Sequence, residues 1–183
     1  VKYIFLLLGL LIQTITFSQT HKDPVEVTPE LLVKLKQEIE REVPGIKSEL
    51  EITTENTIRI EFTLDTFKIE RLIIKMVDLD YSDIGLYNAV YEAAKGYDIL
   101  LNKYYKKLLA ALKGDDKKAL VSAQKSWLSF RDTETKLVET ISKDEYSGGG
   151  TLQQLTESSA YYNLIKTRTI SIFEHYVRAI QNE

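Results

Sequence analysis

Cysteine is absent from this 183-residue chain. That removes disulfides, thiolate nucleophiles and sulfur metal ligands together, and stability must come from packing, helix caps and surface electrostatics. It also excludes lipid attachment through a processed N-terminal Cys. Histidine is nearly absent too: only His21 and His175 occur, far apart in sequence, so no His pair stands at ligand spacing for zinc or beside a nucleophile. No metal site and no cofactor is expected. Neither sign of charge dominates, with 24 basic and 27 acidic residues and a net charge of -3, which argues against a nucleic-acid footprint. Proline occurs three times and glycine eight times, so the chain has few breakers, three of them adjoining at Gly148-Gly149-Gly150.

Long apolar runs are also missing, apart from Tyr3 to Ile12. Lys2 supplies a positive start, the run has the length of a signal-peptide core, and Thr16-Phe17-Ser18 puts small residues at a cleavage site. An uncleaved membrane anchor needs about 18–20 apolar residues, and Gln13, Thr14 and Thr16 interrupt too early. Residues 1–18 are therefore expected to be a cleaved leader, with Gln19 first in the mature protein and no membrane span after cleavage. That places the protein in a periplasm or outside the cell.

What is abundant is helical periodicity. Thr28-Pro29-Glu30 forms a helix start, with Thr28 as N-cap and Pro29 in the first turn. Leu31, Leu32, Leu35, Ile39 and Val43 follow at helical spacing up to Pro44-Gly45, where the helix is expected to end. Residues 46–57 are compatible with a short helical turn or an extended connection. Ile58, Phe62, Ile69, Leu72, Ile73 and Met76 predict a second helix starting between Ile58 and Leu64, with a strand over the β-branched stretch 57–63 left open. The third helix starts near Ser82 or Asp83. Its seam of Leu86, Val90, Ala93, Tyr97, Leu101, Tyr104, Leu108 and Ala111 implies a rod of roughly 45 Å. Gly114 suits a C-terminal stop and Asp115 a new N-cap, so a short joint turns the chain into an antiparallel hairpin.

In the fourth helix Leu120, Ala123, Trp127, Phe130, Leu137 and Ile141 continue an apolar stripe. Trp127 and Arg131 are four apart, which lets the guanidinium lie against the indole. Trp127 and Phe130 are expected in the core at a bundle crossing, with Gln124 satisfying the indole N–H or nearby backbone and Asp132 closing the motif. After the glycines, Thr151-Leu152-Gln153-Gln154 has the form of a capping box. Leu155, Tyr162, Ile165, Ile172, Tyr176 and Ile180 then mark the last helix, widened by Leu164 and Phe173. The fold class expected is an all-α antiparallel bundle of four to five helices around a long central hairpin.

No catalytic constellation stands out. The glycine triplet follows a helix and precedes no Lys-Ser or Lys-Thr, so it is no phosphate loop. Asp132 with Glu134, and Glu61 with Asp65, are acidic pairs, but a glycosidase needs two carboxylates across a cleft with one desolvated. The protein is not expected to be an enzyme. Charge is uneven, with nine basic and fourteen acidic residues over 20–82, so an acidic N-terminal half could meet a basic partner or simply be a solvated surface.

The segment from Leu101 to Asp132, with AQKSWLSFRD and the later EYSGGGTLQQL, resembles the LprI-type lysozyme inhibitor domain of bacterial envelope proteins, over roughly Leu86 to Tyr176. With the leader at 1–18, the resemblance implies an acidic helical extension at 19–82 and an LprI-like domain at 83–183. It further implies a helical binding module that protects the envelope, with a protein partner such as lysozyme. Many members carry a Cys after the FRD motif and another in the last helix, where Thr135 and Ala160 stand here, so the disulfide joining those helices is absent. An inhibitor of this kind would plug the carboxylate-lined groove of lysozyme. The segment Ser142 to Gly148 is the candidate plug, with Lys143 facing carboxylates, Tyr146 filling a sugar subsite and Ser147 beside it. The alternative is an adaptor that binds another envelope protein through its acidic N-terminal helices and leaves lysozyme untouched.

Overall fold

In a computed structural model, which describes residues 23–181, the periodic segments all become helices and no strand occurs among the described residues. Helix α1 spans Pro29–Thr53, and the Thr28 side chain accepts from the Leu31 N–H as its sequence position predicts. The expected stop at Pro44-Gly45 does not occur. Proline forfeits one intrahelical hydrogen bond, but on this exposed stretch water can take the carbonyl left without a donor. Helix α2 spans Thr57–Leu79 and is capped by the Asn56 side chain, which accepts from Arg59 N–H at 3.0 Å. The β-branched stretch 57–63 is thus helical from its start: Ile60 is buried and Ile58 and Phe62 pack on the core, which outweighs local strand preference.

Helix α3 spans Asp83–Ala111, capped by Ser82, whose hydroxyl accepts from Gly85 N–H at 3.1 Å. Its buried face includes Gly85, Ala89, Ala93 and Ala94 as well as Tyr97, Leu101, Tyr104 and Leu108. Helix α3 ends at Ala111 with extended Leu112 at its C-cap, short of the stop expected at Gly114; Gly114, at φ +50° in the left-handed region that favours glycine, turns the joint instead. Helix α4 spans Asp116–Ile141, α5 is one turn at Asp144–Ser147, and α6 spans Leu152–Ile180. Neither capping device expected before α4 and α6 forms. Asp115 and Thr151 both sit in the helical region without a side-chain cap bond. The Thr151 hydroxyl donates instead to Asp83 Oδ2 at 2.8 Å, tying the start of α6 to the start of α3.

Helices α3 and α6 run parallel and form the most extensive contact of the fold. Thr169 donates to the Tyr97 carbonyl at 3.1 Å, and Tyr104 meets Phe173 edge-on at 5.0 Å. α2 lies antiparallel along this pair, with Phe62 stacked on Phe173 at 3.8 Å. α1 runs back along α2 and shares a second core cluster of Leu35, Ile39, Leu72, Met76 and Ala89. α2 contributes to both clusters, so the helices before Ser82 share the core of those after it. The Lys113–Asp115 joint reverses the chain as expected, but the helix that α4 packs on is α6, not α3. With α6 as its main neighbour among the described residues, α4 buries Leu120 alone, in the cluster that also holds Leu108 of α3. The bundle crossing expected at Trp127 and Phe130 lies instead at Tyr97, Tyr104 and Phe173, all essentially fully buried.

Carboxylates bind the outer helices to the pair. Glu42 accepts from Arg71 at 2.8 Å, and Glu174 from Arg59 through two bonds of 2.9 Å. These bonds hold both carboxyls below their ordinary range. Burial pushes the Glu61 carboxyl up, but hydrogen bonds from Lys103 and Lys107 outweigh it and the net displacement is downward. A depressed carboxylate contributes stability above its unfolded value near pH 4.5 and loses it as pH falls through the folded one. The melting temperature should therefore be level from pH 6 to 8 and fall by roughly 5–10 °C by pH 3.5. Calorimetric scans across that range check this; a flat profile would show that these pairs contribute nothing.

Candidate functional site

Between α4 and α6 the chain winds into a compact tip. α4 ends at Ile141, Lys143 occupies the N-cap position of the single turn α5, and Gly148 closes it at φ +76°. Gly149 and Gly150 also have positive φ, 71° and 99°, so three consecutive residues need the freedom that only glycine has without strain. Gly149 further lies so close to the Asp144 carboxyl that a Cβ there would overlap it. Ser147 holds the tip together: its hydroxyl donates to the Ser142 carbonyl at 2.8 Å and accepts from Gly149 N–H at 3.2 Å. Its bonds are internal to the tip. Tyr146 by contrast is 61% exposed, and Lys143 is exposed beside it.

The tip sits on an apolar surround that single-helix periodicity could not reveal. Phe130, Leu137 and Ile141, spaced by seven and four along α4, are 51%, 53% and 54% exposed, and Leu152 and Ile84 are exposed at the same end of the bundle. Singly exposed apolar residues need no explanation, but a stripe leading to an exposed Tyr has the composition of a protein contact.

The Trp motif lies about half the length of α4 away, with Trp127 about 20 Å from Ile141 along it. The structure does not bring it together with the tip. Arg131 and Arg168 each place a guanidinium 5.6 Å from the half-buried Trp127 ring. Arg168 from α6 donates through Nε to the Gln124 side-chain oxygen at 3.0 Å, so Gln124 serves a guanidinium where an indole or backbone partner was expected. Burial lowers the Arg168 pKa. Arg131 donates to its exposed neighbour Asp132 at 2.6 Å. Phe130 is at the surface and fills no core: among the described residues α4 packs mainly on α6. Arg168 was missed as a partner of Trp127. The signal available was its place one turn after Leu164 on the inner face of the last helix.

The acidic pairs are not poised for chemistry. Glu61 and Asp65 take Lys103 and Lys107 from α3. Glu38, Glu40 and Glu42 are likewise engaged by Lys75, Lys68 and Arg71 of α2. Much of the acidity of the N-terminal half is thus counter-charge inside the fold rather than an open acidic face. His175 is exposed on α6. Among the described residues no group of three or more His, Asp or Glu could hold a metal ion. No helix among them is long and apolar enough to cross a membrane. The expected leader at 1–18 and His21 lie outside the described residues.

The family described as lysozyme inhibitor LprI matches residues 80–171. The match runs from the turn before α3, through α4 and the tip, to most of α6. No curated protein and no solved structure matches the chain.

Proposed function

Since the chain belongs to the LprI lysozyme inhibitor family, we propose that it is an exported, non-catalytic protein that shields the cell envelope by occupying the substrate groove of a lysozyme. The observation that carries the proposal is the tip. A hydrogen-bonded, glycine-supported turn presents Tyr146 and Lys143 to solvent at the end of an exposed apolar stripe on α4. A groove that binds sugar rings and cleaves them with carboxylates accepts a phenol in a ring subsite and an ammonium beside the acids. Holding these side chains on a preformed turn lowers the ordering cost of association. Export is supported by the signal-like pattern of Lys2, Tyr3–Ile12 and Thr16-Phe17-Ser18.

Purified protein should slow the clearing of a cell-wall suspension by lysozyme. Tyr146→Ala should raise the half-inhibitory concentration roughly 30-fold, the effect of a central aromatic anchor worth about 2 kcal/mol. Lys143→Ala should raise it roughly three- to tenfold. Inhibition by both variants at the wild-type level would remove the tip from the contact. Absence of inhibition against lysozymes of every class would remove the function itself.

A further inference from the structure

Where the second half of α4 stands off α3, a cleft of about 550 Å³ opens among α3, α4 and α6. Its lining differs from the apolar stripe near the tip. Tyr87 and Tyr91, one turn apart on α3, hold their rings nearly parallel, 13° apart with centroids at 6.1 Å, and Tyr91 is half exposed. Tyr161 lines the same space from α6. Gln154 and Glu157 of α6 and Glu139 of α4 line the same cleft. Among the described residues Gln154, Glu157 and the Tyr161 phenol make no hydrogen bond or ion pair, and Glu139 is engaged only by Lys136 one turn earlier on its own helix.

A space of this size lies within the range of small-ligand sites, about 300–1,000 Å³. Its chemistry narrows the ligand class. Aromatic faces take the flat C–H surface of a ring, while free carboxylates and an amide accept from or donate to hydroxyls around its edge. An aliphatic ligand would leave the Glu157 carboxylate and the Gln154 amide without partners. An anionic ligand would meet carboxylates, since no Lys or Arg lines the cleft and the Lys95 ammonium, 5.4 Å from the Tyr91 ring centroid, is already engaged by Glu92. We propose that this cleft binds a neutral pyranose oligosaccharide, with the ring seated on Tyr91 and its hydroxyls donating to Glu157 and Glu139.

Titration of the purified protein, without lysozyme, with chitotriose, maltotriose and trigalacturonate tests this through calorimetry and amide chemical-shift changes. At least one of the two neutral trisaccharides should bind saturably below about 10 mM. Tyr91→Ala and Glu157→Gln should each weaken binding about tenfold without altering the melting temperature, since both side chains face solvent. Tyr146→Ala should bind as the wild type does, which separates this cleft from the inhibitory tip. Failure of both neutral sugars to saturate, equal binding of trigalacturonate, or unchanged affinity in the Tyr91 and Glu157 variants would each overturn the proposal.

Discussion

Gly85→Ala should destabilise the protein by about 3 kcal/mol and lower its melting temperature by roughly 10 °C, although alanine is the better helix former. Gly85 is buried in the first turn of α3, where its N–H donates to the Ser82 hydroxyl. That hydroxyl in turn donates to Asp80 Oδ1 at 2.6 Å, and the Ser82 N–H donates to the same oxygen at 3.2 Å. Asp80 is itself buried, so the turn from α2 into α3 is folded tightly over the glycine. A Cβ on Gly85 would overlap both the Asp80 carbonyl oxygen and its carboxyl group. A flexible side chain could swing aside, but a backbone carbonyl moves only with the turn, and the turn positions α2 against α3. The propensity gain of about 1 kcal/mol is too small to offset this. Gly45→Ala is the control: it also lies in a helix, but nothing stands within 4 Å of its Cβ position, and it should be neutral or slightly stabilising. Thermal melts of both variants decide the matter, and a Gly85→Ala protein that melts with the wild type would refute the packing described.

Glu70→Ala should cost a comparable amount, about 3 kcal/mol in urea unfolding, by opening the junction of three helices. One oxygen of Glu70, on α2, accepts from the Tyr97 hydroxyl of α3 at 2.6 Å, from the Tyr162 hydroxyl of α6 at 3.0 Å and from Lys166 of α6 at 2.6 Å. The Lys166 ammonium also lies 5.5 Å from the Tyr97 ring and 5.4 Å from that of Tyr162. Truncation would leave the buried Tyr97 phenol without an acceptor, which is the larger loss. Tyr162 and Lys166 retain their own 3.1 Å bond and partial contact with solvent, so the three losses do not simply add. Glu70→Gln keeps an acceptor and should cost less than half as much at neutral pH. Burial pushes the Glu70 carboxyl up, but its three donors outweigh that and hold it below the ordinary range. Its charge therefore stabilises the fold above about pH 4.5, and the advantage disappears as pH falls through the folded value. The wild type and Glu70→Gln should converge in stability near pH 3, while Glu70→Ala stays below both. A Glu70→Ala protein within about 0.5 kcal/mol of the wild type at pH 7 would mean that the junction is idle.

Local chemistry alone determined much of this protein. The caps at Thr28 and Ser82 and the left-handed turn at Gly114 involve atoms within a few residues of one another, so their geometry is encoded where they stand. The seam of Tyr97, Leu101, Tyr104 and Leu108 shares one face for the same reason, because a period of 3.6 aligns those positions whatever covers them. The AQKSWLSFRD and EYSGGGT segments likewise pointed to the LprI family that residues 80–171 match. What covers each face was decided only in three dimensions. An apolar stripe predicts burial when another helix reaches it, and among the described residues α4 packs mainly on α6, so Phe130, Leu137 and Ile141 remained outside. Pro44 breaks a helix only where its orphaned carbonyl lacks water, and the Thr151 hydroxyl leaves its own helix for Asp83 only because α3 and α6 run parallel. The open cleft beside Tyr91 and the three donors converging on Glu70 have the same origin. They join residues tens of positions apart, and the free energy that brings such groups together belongs to the assembled bundle rather than to any segment of it.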